Sequence, residues 1–200
     1  MTTARCVTVP LGERAYDVVV GDGVVDRLPG LLPSTARRAA VVTQSGIPIT
    51  DTVVEQLTAA GLAVVRIDID HGEEAKSLTT IEHVTTAFAA HGLTRHDVVV
   101  GVGGGMVTDI AGFAAAVWHR GVPVVHVATS LLAMIDAAIG GKTGVNLAVG
   151  KNLVGAFWQP DGVVVDVAAL ATLPARERRS GDGEMAKYHF LTGEDLTTLD

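Results

Sequence analysis

The sequence has few of the residues that indicate an extracellular, fibrous or membrane protein. Its single cysteine, Cys6, excludes a disulfide framework and a cysteine-based zinc site. Aromatic residues make up only 4% of the 200 residues, which disfavours an aromatic-rich β-sandwich. No run approaches the roughly 18 uninterrupted apolar residues that a membrane span requires, and no apolar segment follows Met1. These absences predict a cytoplasmic protein with no membrane partner.

Basic residues are also scarce, since 15 Lys and Arg stand against 22 Asp and Glu, for a formal net charge of -7. This balance gives no overall attraction for nucleic acid, although it allows a local cationic pocket for an anionic ligand. The sequence therefore predicts small-molecule partners and no nucleic-acid partner. Hydrophobic residues are 48% of the chain, which is enough to build a folded core and excludes disorder.

The apolar residues are mainly Val, Ala, Ile and Leu, in short runs that alternate with helical patterns. The runs predict strands at Ala39 to Thr43, Ala63 to Ile69, Asp97 to Val102, Val122 to Val127 and Gly162 to Val167. The helical patterns lie at Ile49 to Ala60, Leu78 to His91, Met106 to His119 and Leu131 to Ile139. This alternation predicts an α/β fold with a doubly wound, mostly parallel sheet, which binds ligands at the carboxyl ends of its strands.

The two ends of the chain follow other patterns. Cys6 to Val9 and Tyr16 to Val20 predict an N-terminal hairpin, joined by a turn at Pro10-Leu11-Gly12. After Leu173-Pro174 comes a basic, polar segment at Ala175 to Ser180, then a helical pattern at Gly181 to Leu191, and a further helix is expected from Gly193 onward. We therefore expect an α/β domain over residues 1–173, and over 174–200 the first part of a second, α-helical domain.

Three consecutive glycines, Gly103-Gly104-Gly105, lie between a predicted strand and a predicted helix. Backbone N–H groups in such a turn can approach a pyrophosphate, and the helix N-terminus adds partial positive charge. A tight turn with no ligand is the alternative. The spacing does not match G-x-G-x-x-G, so a standard Rossmann dehydrogenase is not favoured. Asp109 is expected in the first turn of the helix, where it would help to fix the cofactor loop.

A second group of polar residues follows Thr129, in a segment that we expect to be an irregular loop. It carries Asp136, then the glycine-flanked Lys142, then Lys151-Asn152. Gly-Gly-Lys-Thr resembles part of a P-loop, but the upstream glycine is absent, which disfavours nucleoside triphosphate binding. The usual position of a lysine is a solvated surface. The flanking glycines instead favour a pocket for phosphate or carboxylate.

The third candidate is Gly183-Glu184-Met185-Ala186-Lys187, where Glu184 and Lys187 share a helix face. A surface ion pair is the simplest interpretation. Glu184 could instead be one ligand of a zinc site of the two-His-one-Glu type. His189 lies five residues beyond it, which does not match the i, i+4 spacing of a helical metal site, so a packing or surface role is favoured.

These motifs together resemble 3-dehydroquinate synthases. The resemblance is carried by Gly-Gly-Gly-x-x-x-Asp-x-x-Gly-Phe at 103–113, Arg120-Gly121, Thr129 to Asp136, Gly140 to Gly144, Gly150 to Pro160 and Gly183 to Lys187. The resemblance implies an enzyme that converts the keto-acid phosphate DAHP into 3-dehydroquinate and phosphate, with bound NAD and a zinc or cobalt ion. It also implies a cycle in which the cofactor is reduced and reoxidised within one site.

The resemblance further implies roles for individual residues. Contacts to NAD are implied for Glu73, Lys76, Gly104, Gly105, Asp109, Thr129, Ser130, Leu132, Lys142 and Lys151. Contacts to substrate are implied for Arg120, Asp136, Lys142, Lys151, Asn152 and Lys187, and Glu184 matches the single carboxylate ligand of the metal. The two histidine ligands of that family lie in a C-terminal domain that this sequence does not include.

Alternatives stay open. A related sugar phosphate cyclase would act on sedoheptulose 7-phosphate or glucose 6-phosphate, and NAD-dependent glycerol dehydrogenases share the fold. A non-catalytic NAD-binding or regulatory module is a different class of function. A homodimer is a further possibility. We expect no catalysis by the 200 residues alone, because Glu184 is one of the three protein ligands that a catalytic zinc requires.

Overall fold

The computed structural model describes residues 4–193 and contains nine strands and four longer helices in that range. The strands are β1 (Arg5–Val9), β2 (Tyr16–Gly21), β3 (Arg38–Thr43), β4 (Ala63–Asp68), β5 (Val98–Gly103), β6 (Val124–Ala128), β7 (Lys142–Leu147), β8 (Gly150–Phe157) and β9 (Gly162–Asp166). The helices are α1 (Ile49–Ala59), α2 (Leu78–His91), α3 (Gly105–Val117) and α4 (Ala175–Thr192). A π-helical turn spans Ala133–Ala137, and short 3-10 turns link other elements.

Seven strands form one sheet in the order β1-β2-β9-β6-β5-β3-β4. Only the β1–β2 pair is antiparallel, and all other pairs are parallel, which confirms the predicted α/β fold and N-terminal hairpin. From β3 the chain runs outward to β4 and then returns to β5 on the other side of β3. The carboxyl ends of β3 and β5 therefore flank the crevice where sheets of this class bind ligands.

The centre of the sheet is buried on both faces. Every residue of β5, β6 and β9 is buried, and valine predominates there because β-branched side chains pack well on a covered sheet. His126 of β6 is a polar exception, and its Nδ1 atom has no hydrogen-bond partner among the described residues. Burial lowers the pKa of His126 to about 4, so its imidazole is neutral in the folded protein.

β7 and β8 form a separate two-stranded hairpin, which corrects the expectation of an irregular loop. Its base is anchored by Trp158, whose indole N–H donates to the carbonyl of Val122 at 3.0 Å. A Cβ on Gly121 would lie 2.2 Å from that indole ring, so glycine is required for the contact. Gly121 also has a φ of +128°, a value that other residues rarely adopt.

Two helix boundaries differ from expectation. The helix predicted to reach His119 ends at Val117, because His119 and Arg120 take left-handed φ values of 48° and 66°. Helix α4 begins at Ala175, ahead of the helical pattern predicted from Gly181, and the helix expected from Gly193 onward lies, apart from Gly193, outside the described residues. No helix in the described part of the chain is long and apolar enough to span a membrane.

Candidate functional site

The glycine turn lies at the carboxyl end of β5 and leads directly into α3. Gly103 accepts a hydrogen bond from the backbone N–H of Thr129, which follows β6. A Cβ on Gly104 would lie 3.1 Å from Ser130 Oγ, and a Cβ on Gly105 would lie 3.0 Å from the Cβ of Ala137. The glycines therefore let the N-terminus of α3 approach the segment after β6 closely.

Ser130 begins the helical segment that carries Asp136. Its Oγ accepts the backbone N–H of Ala133 at 3.3 Å, and its carbonyl accepts that of Met134. This capping satisfies donors at the start of the segment. It also fixes the segment's direction, so that Asp136 lies beside α3.

Two cavities flank the glycine turn. The smaller, of about 330 Å³, lies beyond β3 and β6 and is lined by Gly46 to Ile49, Thr129 and Asp166, with residues 168–174 on its far side. The larger, of about 660 Å³, lies between α3, the π-helical turn, the β7–β8 hairpin and α4. Four predicted site residues line the larger cavity: Asp109, Asp136, Lys142 and Asn152.

Lys76 is a buried cation at the edge of this site. Its Nζ atom lies 2.5 Å from Asp109 Oδ2 and 2.5 Å from Asn152 Oδ1. Burial raises the pKa of the Asp109 carboxyl, and the hydrogen bond from Lys76 opposes that rise. Asp109 is the fifth residue of α3 and its first turn holds no acidic residue, so the expectation of a first-turn position was wrong.

Glu73 contacts the tip of the hairpin. Its Oε1 atom accepts a hydrogen bond from Asn146 Nδ2 at 2.7 Å and lies 3.4 Å from Lys151 Nζ. The hydrogen bond from Asn146 is the main cause that lowers the pKa of Glu73. Lys151 is otherwise open to solvent, with 72% of its side chain exposed, and it does not line the larger cavity.

Three further predicted residues lie outside the cavity lining. Arg120 is exposed at the far end of α3, about 20 Å along the helix from the glycine turn. Glu184 and Lys187 form an ion pair on α4, which confirms that they share a helix face. The adjacent Tyr188 does line the cavity and donates its hydroxyl hydrogen bond to the carbonyl of Ile135. The functional roles of these residues stay predictions.

The described residues do not assemble a metal centre. No group of three or more His, Cys, Asp or Glu side chains within residues 4–193 is arranged to hold an ion. Glu184 is a single carboxylate, and Lys187 already hydrogen-bonds to it. The role of Glu184 as a metal ligand stays a prediction.

Sequence reasoning missed two residues of the site, Tyr188 and Asn146. Tyr188 directly follows the motif at Gly183 to Lys187, and a tyrosine on a helix usually packs, so the sequence gives it no functional role. Asn146 follows Gly144-Val145 in the segment interpreted as a loop, so the pattern of the strand that holds it was not recognised. The β-branched residues Thr143 and Val145, two positions apart, are a weak sequence signal of that strand.

The parallel sheet, the glycine turn and the adjoining cavities define an α/β domain that binds its ligands at the carboxyl edge of the sheet. Within that class, the chain belongs to the 3-dehydroquinate synthase family. The family model described as "3-dehydroquinate synthase N-terminal" matches residues 66–180.

Curated relatives agree with that membership. The 3-dehydroquinate synthase of Arthrobacter sp. strain FB24 is 47% identical over 185 residues, which are 92% of this chain and 51% of the relative. A protein assigned as an aminodehydroquinate synthase in Amycolatopsis mediterranei is 47% identical over 190 residues, 95% of this chain and 52% of its own. This chain thus spans about half the length of the curated relatives it matches.

Solved structures are similar over the same extent. A 2-deoxy-scyllo-inosose synthase in complex with carbaglucose-6-phosphate, NAD+ and Co2+ has a TM-score of 0.85 at 29% identity, covering 92% of this chain and 51% of that one. A 2-epi-5-epi-valiolone synthase from Streptomyces hygroscopicus with NAD+ and Zn2+ has a TM-score of 0.76 at 36% identity, covering 84% and 48%.

Proposed function

We propose that this chain is the NAD-binding part of a sugar phosphate cyclase that converts DAHP into 3-dehydroquinate and phosphate. The observation that carries the proposal is the larger cavity, which is lined by Lys142 and Asn152 together with Asp109 and Asp136. A pocket with both a cation and carboxylates suits a ligand that carries both phosphate and hydroxyl groups. Family membership and the carbaglucose-6-phosphate held by the 2-deoxy-scyllo-inosose synthase support the same class of substrate, and the NAD+ held by both solved relatives supports the cofactor.

The glycine turn fits a bound dinucleotide. It lies between the two cavities, since Gly103 hydrogen-bonds to Thr129 of the smaller one and Gly105 faces Ala137 of the larger one. A pyrophosphate at the N-terminus of α3 would place one nucleotide in the smaller cavity and the other in the larger. Side chains at Gly104 or Gly105 would close that approach.

NAD, when bound, supplies reversible hydride transfer and is not consumed in the cycle. The chain's own residues then bind and orient the substrate. Lys142 holds an oxyanion as a point charge, and Asn152 donates a hydrogen bond from its Nδ2, since its Oδ1 accepts from Lys76. Asp136 accepts hydrogen bonds from substrate hydroxyls. We propose that Lys151, Lys187 and Arg120 complete the anion contacts, and that Glu184 provides one metal ligand.

Calorimetric titration of the 200-residue chain with NAD+ tests the cofactor part of this proposal. We expect weak binding that Gly104→Val abolishes, because its side chain would fill the turn. Gly30→Val is the matched control, since a Cβ at Gly30 meets nothing within 4 Å. Equal affinity in all three proteins would contradict a dinucleotide site at the turn.

Phosphate release from DAHP tests the reaction. A fusion of this chain to the second half of the Arthrobacter relative should release phosphate with NAD+ and Zn2+ supplied, whereas the 200-residue chain alone should not. Sedoheptulose 7-phosphate and glucose 6-phosphate, assayed in parallel, distinguish the related cyclases. Sustained turnover by the chain alone would contradict the need for ligands from outside it, and no turnover of any phosphate by the fusion would favour a non-catalytic module.

A further inference from the structure

The β7–β8 hairpin contains an irregularity at its tip. Val145 pairs with Val154, whereas Leu147 pairs with Gly150. Three residues of β8, Lys151 to Leu153, therefore stand opposite the single residue Asn146. Such bulges bend a strand and redirect its side chains, and they are frequent beside active sites.

The backbone at this bulge is left-handed. Asn152 has a φ of +56°, a conformation that is uncommon for residues other than glycine and that asparagine tolerates best. Because regular pairing is interrupted, the N–H of Asn152 needs another acceptor. The side chain of Asn146 provides it, with Oδ1 2.9 Å from that nitrogen.

Asn146 also ties the bulge to the turn at residues 73–76. Its Nδ2 donates to Glu73 Oε1 at 2.7 Å, and its backbone N–H donates to the carbonyl of Lys76 at 2.8 Å. The same turn also contacts the bulge directly. Lys76 donates a hydrogen bond to the side chain of Asn152, and Glu73 forms an ion pair with Lys151. Within the described structure, Asn146 is therefore the one residue of β7 whose side chain bonds both to the bulge, at Asn152, and to the turn at residues 73–76, at Glu73.

We infer that Asn146 is a positioning residue that holds Lys151 and Asn152 in the geometry needed to bind a substrate oxyanion. This inference rests on the proposed function of those two residues. The chain contains only two asparagines, Asn146 and Asn152, and they face each other across the bulge. An amide is required at 146 because one of its atoms accepts from a backbone N–H while the other donates to a carboxylate.

The test compares four variants of the 200-residue chain: Asn146→Ala, Asn146→Asp, Glu73→Gln and the double variant Glu73→Gln with Asn146→Asp. The carboxylate introduced by Asn146→Asp can still accept from the Asn152 N–H but is opposed by the Glu73 charge. In the double variant, the amide at position 73 donates to the carboxylate at position 146. The hydrogen bond between these two side chains is therefore kept, with its donor and acceptor exchanged. Val149→Ala is the control, since Val149 lies on the same hairpin and is 84% exposed.

Two readouts are measured: exchange of the Asn152 amide by NMR, and the Kd for inorganic phosphate. We expect Asn146→Ala and Asn146→Asp to bind phosphate about tenfold more weakly, as for loss of a hydrogen bond near a charged ligand. Asn146→Ala should also speed exchange of the Asn152 amide about tenfold, for the same reason. The double variant should return to within about threefold of Glu73→Gln on both readouts, and Val149→Ala should change neither.

Unchanged Asn152 exchange in Asn146→Ala would overturn the inference. Failure of the double variant to recover would also overturn it, because the inference depends on the hydrogen bond between residues 73 and 146, which that variant keeps. If the unmodified chain binds no phosphate while exchange responds as expected, the positioning role stands and the proposed function of the hairpin fails.

Discussion

The central sheet and the β7–β8 hairpin differ in how far their residues are buried. Strands β5, β6 and β9 are buried at every position, whereas β8 is exposed or half-buried along its whole length. Strands β5, β6 and β9 carry mainly valines, with one neutral histidine and the buried Asp166, whereas the hairpin carries Lys142, Lys151 and both asparagines. Stability is therefore concentrated in the sheet, while the hairpin presents polar groups that a ligand can reach.

Truncation of one phenylalanine in each region should give the largest difference between them in free energy of unfolding. Phe88 of α2 is fully buried against the sheet, whereas Phe157 of β8 is 78% exposed. Phe88→Ala should lower the free energy of unfolding by about 3–5 kcal/mol, because it leaves a cavity. Phe157→Ala should change it by less than about 0.5 kcal/mol.

Urea unfolding measures the free energy of unfolding of both variants. If Phe88→Ala is too unstable to purify, Phe88→Leu, which should lose less stability, replaces it. Similar losses for Phe88→Ala and Phe157→Ala would contradict the division between the two regions.

Acid should weaken the sheet through His126. The folded pKa of about 4 is below the ordinary value of 6.5, so the unfolded chain binds a proton that the folded chain does not. Stability should therefore fall as pH decreases from about 6.5 to about 4, by about 3 kcal/mol from this residue. Unfolding measured across that range should be less pH-dependent in His126→Gln. An identical slope in both proteins would exclude His126 as the cause.

Removal of a hairpin lysine should affect ligand binding and leave the sheet intact. In the fusion enzyme, Lys142→Ala or Lys151→Ala should reduce kcat/KM by about 10² or more, as for loss of a fixed charge contact. Arg27→Ala is a matched control, because Arg27 is a cation with 67% of its side chain exposed and lies outside both cavities. Near-normal turnover in both lysine variants would contradict the assignment.

Asp109 lies where the two regions meet, and its effect should be the smallest. Asp109→Asn removes the charge that pairs with buried Lys76, and we expect NAD+ affinity of the chain to fall about tenfold, or about 1.4 kcal/mol. Calorimetry compares it with Asp51→Asn, an aspartate whose side chain is 79% exposed. If NAD+ affinity is unchanged, Asp109 is a structural residue of α3.

The sheet could be predicted from the sequence because burial on both faces produces unbroken apolar runs. The predicted strand at Ala39 to Thr43 differs from β3 by one residue, and the helix at Leu78 to His91 is confirmed in full. Ser77 before it caps that helix, accepting the N–H of Thr80. Local sequence patterns of this kind are sufficient to predict a strand or helix when all of its residues lie in the same environment.

The hairpin could not be predicted because its strands are held by close backbone contact and by distant side chains. A Cβ on Gly155 would lie 2.0 Å from the carbonyl oxygen of Thr143, so glycine here serves strand pairing, although in sequence it indicates a loop. The contacts of Glu73 and Lys76 with the hairpin tip join segments that are distant in sequence. The sequence predicted the lysines of the candidate site but not the residues that hold the hairpin around them.

The anchoring of the hairpin base by Trp158 implies that ionic strength acts on one end of the hairpin only. The base is held by an indole packed on Gly121 and by a neutral hydrogen bond, neither of which dissolved ions weaken appreciably. The exposed contact between Lys151 and Glu73 at the tip is screened as salt rises. High salt should therefore free the Lys151 side chain at the tip while the indole contact holds the base, so that ionic strength changes the mobility of one cation and not the position of the whole hairpin.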